Sequence, residues 1–112
     1  MSKYHSKKTE VCGIKFDSKA EADRYLELHM LEHVGAIKDL ALQVPFKVIE
    51  GKRWSNGRKH KDTKYIADFV YTDAETGEVI VEDVKGFRTD AYRLKAELMK
   101  ERYNIEIREV RP

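Results

Sequence analysis

Two aspartates and a lysine in strand-like stretches are the residues best suited to chemistry in this sequence. Asp83 and Lys85 end an apolar run, and Asp68 interrupts an earlier run of β-branched and aromatic residues. Because side chains alternate faces along a strand, Asp83 and Lys85 point the same way and Glu82 points the other way. Buried carboxylates repel one another unless they are paired or bound to a cation. The pattern therefore predicts Mg²⁺ or Mn²⁺, which prefer oxygen ligands, at Asp68 and Asp83.

Lys85 gives this predicted site a second positive group. A metal ion and a lysine together would activate water and stabilise the charged transition state of phosphodiester hydrolysis. The alternative is that Asp83 and Lys85 form an exposed pair at a strand tip, worth about a few tenths of a kcal/mol. Glu82 is either a surface residue or, if the register slips by one position, the ligand in place of Asp83.

A helix is predicted upstream of these strands, over residues 18–34. Ser18 followed by Glu21 forms a capping box, and Gly35 is a C-terminal stop signal. Its apolar residues recur at helical spacing at Ala22, Leu26, Met30 and Val34, and the stripe is widened by Tyr25, Leu28 and Leu31.

The remaining elements alternate between strands and one more helix. We predict a short strand or hairpin at 11–16, one strand or two pieces bent at Pro45 over 37–49, and an antiparallel hairpin of strands 65–72 and 79–85. A second helix starts at Thr89 or Asp90 and ends near Tyr103, with apolar positions Ala91, Leu94, Leu98 and Met99. A final strand at 105–110 should lie parallel to the Asp83 strand. The predicted fold class is α/β, with a mixed sheet flanked by helices.

Basic residues are concentrated in segments that would suit a phosphate backbone. Residues 51–64 combine a turn signal at Asn56-Gly57 with the cations and aromatic Lys52, Arg53, Trp54, Arg58, Lys59 and Lys61. Residues 1–10 are a candidate flexible basic arm that includes Lys7 and Lys8, and Arg93 and Lys95 lie on the second helix. Each of these segments has a plainer alternative, namely a solvated hairpin tip, a frayed terminus or a solvated helix face. Gln43 either orients the site or contacts DNA, or is an ordinary strand residue.

Length and composition indicate one domain, spanning residues 1–112. With 41% hydrophobic residues and a net charge of +2, the chain has the means to form a core and is not a strongly basic protein overall. A single cysteine, no apolar run long enough for a bilayer and no secretory signal lead us to expect a cytoplasmic protein without membrane contact. His29, His33 and Cys12 are a rival zinc set, but a closed zinc site usually needs four ligands.

Asp68, a turn and then Asp83-Val84-Lys85 resemble the motif of the PD-(D/E)XK nuclease superfamily. The element order over residues 3–110 is similar to that superfamily's minimal core. The runs Ser-Lys-Ala-Glu-Ala at 18–22, Ile-Ala-Asp-Phe at 66–69 and Glu-Asp-Val-Lys-Gly at 82–86 are also similar to small phage-encoded proteins of this type. Those proteins are catalogued as a domain of unknown function and are expected to be Holliday junction resolvases or related endonucleases. An Ile-Ala pair replaces the nominal proline before Asp68.

The resemblance implies a restriction-endonuclease-like core and a metal-dependent DNA endonuclease. It implies that Asp68, Asp83 and Glu21 hold the metal and that Lys85 completes the catalytic set, although Glu21 alternatively serves only in the capping box. It also implies a phage-encoded enzyme acting in the bacterial host on branched or duplex DNA, in recombination, replication or packaging. A two-fold symmetric junction would suit a homodimer. The alternatives are a non-catalytic nucleic-acid-binding module and a phage protein that binds a host factor.

Overall fold

The computed structural model describes residues 8–85 and 88–111, which form strands and helices in an α/β arrangement. In chain order these elements are β1 Thr9–Val11, β2 Ile14–Phe16, α1 Lys19–His33, β3 Ile37–Ile49, β4 Lys52–Arg53, β5 Lys59–His60, β6 Thr63–Asp73, β7 Val79–Val84, α2 Asp90–Tyr103 and β8 Arg108–Val110. Neither of these helices has the length and apolarity needed to cross a membrane.

The central sheet has the strand order β3-β6-β7-β8. β6 pairs antiparallel with both β3 and β7, and β8 pairs parallel with β7. The predicted mixed sheet, with antiparallel strands and one parallel strand after the second helix, is confirmed. β1–β2 and β4–β5 form two further hairpins outside this sheet.

α1 begins where its capping signal predicts. Ser18 Oγ accepts the N–H of Glu21 at 3.2 Å, and Gly35 follows the helix with φ +83°, a conformation that glycine adopts without steric cost. The predicted apolar face is confirmed in part. Ala22, Tyr25 and Leu28 are buried, whereas Leu26, Met30 and Val34 are 44%, 62% and 66% exposed. Tyr25 contacts Phe16 of β2 with ring centroids 5.2 Å apart, so α1 packs through the side of the helix that carries Tyr25.

Hydrophobic side chains pack on both faces of the sheet. The first cluster joins α1 and the β1–β2 hairpin to the sheet through Phe69, Tyr71 and Ile80. The second cluster joins α2 to the sheet through Tyr65, Ala67 and Val81. Each carboxylate of β7 therefore faces one helix or the other.

α2 is capped by Thr89, whose Oγ1 accepts the N–H of Tyr92 at 3.0 Å. The predicted apolar positions are partly wrong, because Ala91 is exposed and Leu94 is 54% exposed. Tyr92, Ala96 and Met99 contact the sheet instead, at the i, i+4, i+7 spacing of one helical stripe.

β3 is one continuous edge strand, and it does not break at Pro45, which lies opposite Ile66. An edge strand tolerates proline because one side of its backbone has no partner strand. Asp39 and Gln43 of β3 have positive φ of +58° and +52°, and the register with β6 shifts between Lys38 and Ala41 and between Lys47 and Ile49.

Candidate active site

Asp83 and Lys85 lie on the α2 side of β7, as the alternation predicts. Asp83 is only 3% exposed, and its Oδ2 accepts the hydroxyl of Tyr65 at 2.6 Å. Lys85 Nζ lies 3.3 Å from Asp83 Oδ1. Burial and the Asp83 carboxylate raise the pKa of Tyr65, so this phenol remains a proton donor to Asp83. The exposed strand-tip alternative for Asp83 is thereby wrong.

Asp68 lies where β6 lacks regular pairing partners. The pairing with β7 ends at Phe69 opposite Glu82, and the pairing with β3 skips Asp68 and Gln43 and resumes at Ala67 opposite Val44. The Asp68 carboxylate bonds to both neighbouring strands: its Oδ2 accepts the backbone N–H of Val84 at 2.8 Å, and its Oδ1 accepts the side-chain Nε2 of Gln43 at 3.4 Å. An acid in the middle of a strand is tolerated here because it satisfies a backbone donor.

Asp68 and Asp83 form a close pair of carboxylates. Burial, followed by the neighbouring Asp83, raises the pKa of Asp68 from an ordinary 3.8 to about 7. Two carboxylates that crowd each other in this way favour a shared proton or a cation between them.

Glu21, in the first turn of α1, lies near the same charges. Burial is the main cause that raises the pKa of Glu21; Asp17 and Asp83 raise it further, and Lys85 opposes them. The structure therefore brings the four predicted residues into one region, with Asp68 in the middle of β6, Asp83 and Lys85 at the C-terminal end of β7, and Glu21 in the first turn of α1. Glu21 also keeps its capping-box position, so the two interpretations of this residue are compatible.

Two tyrosines that the sequence analysis missed hold this group in place. Tyr65 binds Asp83, and the ring centroid of Tyr92 lies 4.4 Å from Lys85 Nζ. Tyr92 is fixed in turn by Glu109, whose Oε2 accepts its hydroxyl at 2.9 Å. Both tyrosines have the pattern of core aromatics, and only their hydroxyl partners distinguish them.

Glu82 occupies the opposite face of β7 and is fully buried. It is therefore neither a surface residue nor a neighbour of Asp68, Asp83 and Lys85. Arg24 of α1 binds both of its oxygens, with Nε at 2.9 Å and Nη2 at 2.7 Å, and Tyr71 donates a hydroxyl hydrogen bond. Burial and Glu82 raise the pKa of Tyr71 to about 12. Arg108 Nη1 completes the network at 3.3 Å from the Tyr71 hydroxyl. The charge of Glu82 is thus neutralised internally.

The carboxylates of Glu21, Asp68 and Asp83, which we call the Asp68 group, suit a hard divalent cation, but they do not form a closed cage. No three His, Cys, Asp or Glu side chains within residues 8–85 and 88–111 are grouped closely enough to hold a metal ion. Asp68 and Asp83 are neighbouring carboxylate donors, and the charge of Asp83 also acts on Glu21. Mg²⁺ is commonly bound by one or two carboxylates, with water and substrate phosphate as its other ligands, so the residues fit. The rival zinc residues form no such group either: Cys12 is exposed, and His29 stacks on Tyr25.

The predicted DNA-contacting residues lie on two surfaces. Those of segment 51–64 are exposed on the β4–β5 hairpin. Four of them line a hollow of about 530 Å³, namely Lys52, Arg53, Lys59 and Lys61. Lys95 lines a second hollow of about 280 Å³ with Lys64, Lys85 and Tyr92, next to the Asp68 group. Arg93 is exposed and lies 3.8 Å from Asp90. Lys8 is exposed, and Lys7 lies outside the described residues.

Comparison with known proteins gives a family but no function. No curated protein and no solved structure matches the chain. Residues 1–111 match a family described as a protein of unknown function (DUF1064). Because this match covers nearly the whole sequence, the chain belongs to the DUF1064 family.

Proposed function

We propose that this protein is a metal-dependent DNA endonuclease of the PD-(D/E)XK type with a restriction-endonuclease-like core. The observation that carries the proposal is the convergence of Asp68, Asp83 and Lys85 where the β6–β7 pairing ends. The two carboxylates would bind a cation, and the lysine would bind a phosphate or a water molecule.

Asp68 and Asp83 would hold the cation, and Glu21 would complete its protein ligands. Mg²⁺ or Mn²⁺ bound there supplies Lewis-acid stabilisation of phosphate charge. Lys85 is 28% exposed in its side chain, so its ammonium group can reach a phosphate or an attacking water while Asp83 and the Tyr92 ring orient it. Gln43 positions Asp68 from β3 and is better suited to orienting the site than to contacting DNA.

The substrate in this proposal is branched or duplex DNA in a bacterial host cell. The exposed cations of the β4–β5 hairpin and Lys95 beside the site would bind backbone phosphates, which position DNA without reading its sequence. A small core with little room for base readout favours structure-specific cutting, as of a Holliday junction in phage recombination, replication or packaging. A homodimer would present two such sites, and the exposed Leu26, Met30 and Val34 of α1 offer an apolar surface for it.

The direct test is cleavage of labelled junctions, flaps, nicked duplexes and linear duplexes in Mg²⁺ or Mn²⁺. Wild-type protein should cut at least one branched substrate, and Asp68→Ala, Asp83→Asn and Lys85→Ala should each lose cutting by about 100-fold or more, the scale of removing one preorganised charge-stabilising group. Lys100→Ala is the matched control, since this exposed lysine pairs with Glu106. Full cutting by Asp68→Ala would refute the proposal.

Calorimetric titration with metal ions distinguishes the endonuclease hypothesis from that of a non-catalytic nucleic-acid-binding module. We expect Mg²⁺ or Mn²⁺ to bind wild-type protein, with or without DNA, and to bind Asp68→Ala more weakly. DNA binding with no metal binding in either condition would favour the module, and a host protein partner with no DNA affinity would favour the host-factor alternative.

A further inference from the structure

The β4–β5 hairpin and its flanks concentrate positive charge in one small part of the chain. Residues 51–64 contain six Lys or Arg and one Asp, a formal charge of +5, in a chain whose total is +2. The other residues together therefore carry −3. A polyanion would be attracted to this segment and not to the surface as a whole.

The single carboxylate of the segment is used inside the hairpin base. Asp62 Oδ1 accepts the N–H of Gly51 at 2.7 Å, and its Oδ2 lies 3.9 Å from Lys47 Nζ. Within residues 8–85 and 88–111, no carboxylate lies within salt-bridge distance of the hairpin cations Lys52, Arg53, Arg58, Lys59 and Lys61. Their charges are available to an external anion.

An ordered aromatic pair stands among these cations. Trp54 stacks on His60 with ring centroids 5.2 Å apart and an interplanar angle of 14°, yet Trp54 remains 48% exposed. The Trp54 backbone is fixed as well, since its N–H donates to Arg58 O at 2.8 Å and its carbonyl accepts Gly57 N at 2.9 Å. One face of the indole is thus covered by His60, and the ring is held in place before any ligand arrives.

We infer that the β4–β5 hairpin is a docking platform for an unpaired nucleobase of DNA, which stacks on Trp54 while the surrounding cations bind its flanking phosphates. Proteins that bind single-stranded nucleic acid commonly combine a basic groove with aromatic rings on which bases stack. A base inside an intact duplex already stacks on its neighbours and offers no free face. The platform therefore selects DNA with unpaired bases, such as a branch point, a gap or a tail.

Lys64 connects this platform to the proposed active site. It lines the 530 Å³ hollow of the hairpin and also the 280 Å³ hollow that contains Lys85 and Tyr92. A strand whose unpaired base stacks on Trp54 would contact the hairpin cations and then, by way of Lys64, reach Lys85, which lies beside Asp83. The inference deepens the proposed endonuclease function, on which it rests for its biological role, by naming the substrate as DNA with unpaired bases next to the cut.

The binding test needs no cleavage, because Trp54 is the only tryptophan of the chain and reports directly on stacking. The full chain in EDTA is titrated with an oligo-dT of about ten nucleotides, a blunt duplex, and the same duplex with an oligo-dT tail; the length lies within the ~4–16 nucleotides typical of such sites. Tryptophan fluorescence should be quenched by oligo-dT and by the tailed duplex, and much less by the blunt duplex at equal occupancy.

Variants distinguish the contribution of base stacking to DNA affinity from the contribution of the cations. By fluorescence anisotropy of labelled DNA, Trp54→Ala should bind oligo-dT about 5- to 150-fold more weakly, equivalent to the ~1–3 kcal/mol of one stacked base, and bind blunt duplex about as wild type does. Trp54→Tyr should retain most of the affinity, which excludes misfolding as the cause. Lys52→Ala should weaken the binding of both oligo-dT and blunt duplex, and Lys100→Ala should weaken the binding of neither.

Three outcomes would overturn the inference. Blunt duplex could quench Trp54 as strongly as oligo-dT does, Trp54→Ala could lose affinity for oligo-dT and for blunt duplex to the same extent, or the wild-type protein could have no affinity for oligo-dT. Quenching with no cleavage of any substrate in Mg²⁺ or Mn²⁺ would uphold the platform and refute the endonuclease. Cleavage without quenching of Trp54 would uphold the endonuclease and refute the platform.

Discussion

At the scale of single residues, β7 carries two buried acids in consecutive positions with opposite surroundings. Glu82 is surrounded by donors from Arg24 and Tyr71, so its charge is fully compensated. Asp83 has the hydroxyl of Tyr65 and the ammonium of Lys85, but it also faces the Asp68 carboxylate. A compensated charge can be buried without a functional role, whereas crowded carboxylates are typical of a functional site.

The pH dependence of stability should report this crowding. Because the folded-state pKa of Asp68 is raised to about 7, the folded chain holds a proton there more tightly than the unfolded chain does. In EDTA, stability should therefore fall as the pH rises from about 4 to about 7, by on the order of 1–2 kcal/mol once partial solvent exposure is allowed for.

Asp68→Asn should flatten this part of the profile, since the amide can keep the Val84 hydrogen bond and donate to Asp83. Urea unfolding across pH measures the effect, and Asp23→Asn on the exposed surface of α1 is the control. A wild-type stability that does not fall over this range would contradict the assignment. Mg²⁺ should raise wild-type stability at pH 8 and leave Asp68→Asn nearly unchanged.

The Glu82 network predicts strong energetic coupling with Arg24. Arg24→Met removes both of the guanidinium hydrogen bonds and leaves a buried carboxylate, which should cost about 3–5 kcal/mol of unfolding free energy. Adding Glu82→Gln should recover part of the loss, because the buried charge is gone. Chemical denaturation of both variants measures the coupling, and Arg93→Met, at an exposed pair, should change stability by less than about 1 kcal/mol. Additive losses in the double variant would count against a buried ion pair.

At the scale of elements, the structure is organised around places where regular pairing stops. The pairing of β6 with β7 does not reach Asp68, and the pairing with β3 is interrupted there for one pair, where Gln43 has a φ of +52°. These interruptions leave backbone groups to be satisfied by side chains, which is how polar residues come to lie in the middle of a sheet. The β4–β5 hairpin is a separate element whose base closes through Gly51 and Asp62.

Gly51→Ala should disrupt that hairpin base specifically. A Cβ at this position would lie 2.4 Å from the backbone oxygen of His60 and 2.7 Å from the backbone nitrogen of Asp62, so the backbone must shift. We expect a shift in Trp54 emission and at least a tenfold loss of DNA affinity, against a global stability loss of only about 1 kcal/mol.

Gly57→Asn in the same hairpin is the matched control for Gly51→Ala. No atom lies within 4 Å of a Cβ at Gly57, and asparagine tolerates its φ of +85° better than other side chains do. DNA affinity and Trp54 emission should stay close to wild type. Unchanged DNA binding in Gly51→Ala would mean that the hairpin is not the binding element.

At the scale of the whole molecule, charge and apolar surface are both distributed unevenly. The basic hairpin lies in an otherwise acidic chain, and α1 exposes a stripe of apolar side chains that includes Leu26, Met30 and Val34. Single exposed apolar residues are common, but a stripe along one helix is typical of a protein contact. We propose a second copy of the chain as the partner, because a two-fold symmetric DNA junction presents two equivalent strands.

Met30→Lys should therefore convert a dimer to a monomer, because it puts a charge in the middle of this stripe. Sedimentation velocity measures the change, and circular dichroism should show that the helix content is retained. Val79→Lys, at another exposed apolar position, should leave the dimer intact. A monomeric wild type, or a dimer that survives Met30→Lys, would refute this interface.

The features that depend on near neighbours in the chain could be predicted from the amino-acid sequence. The Ser18 cap, the glycine after α1, the alternation that separates Glu82 from Asp83, and the parallel return of β8 all follow from local backbone geometry and chain connectivity. For the same reason the two strand-borne aspartates and the lysine could be chosen as a candidate site before any contact was known.

The partner that each of these side chains meets depends on contacts between distant parts of the chain. Arg24 and Glu82 are 58 positions apart, and Tyr65 and Asp83 are 18 apart, so no local pattern links them. The apolar face predicted for α1 was too wide, and packing buries only its Ala22, Tyr25 and Leu28 side, where Tyr25 contacts Phe16. Packing and electrostatics at long sequence separation thus set the role of each acid, because a buried charge depends on what surrounds it in space and not on its neighbours in the chain.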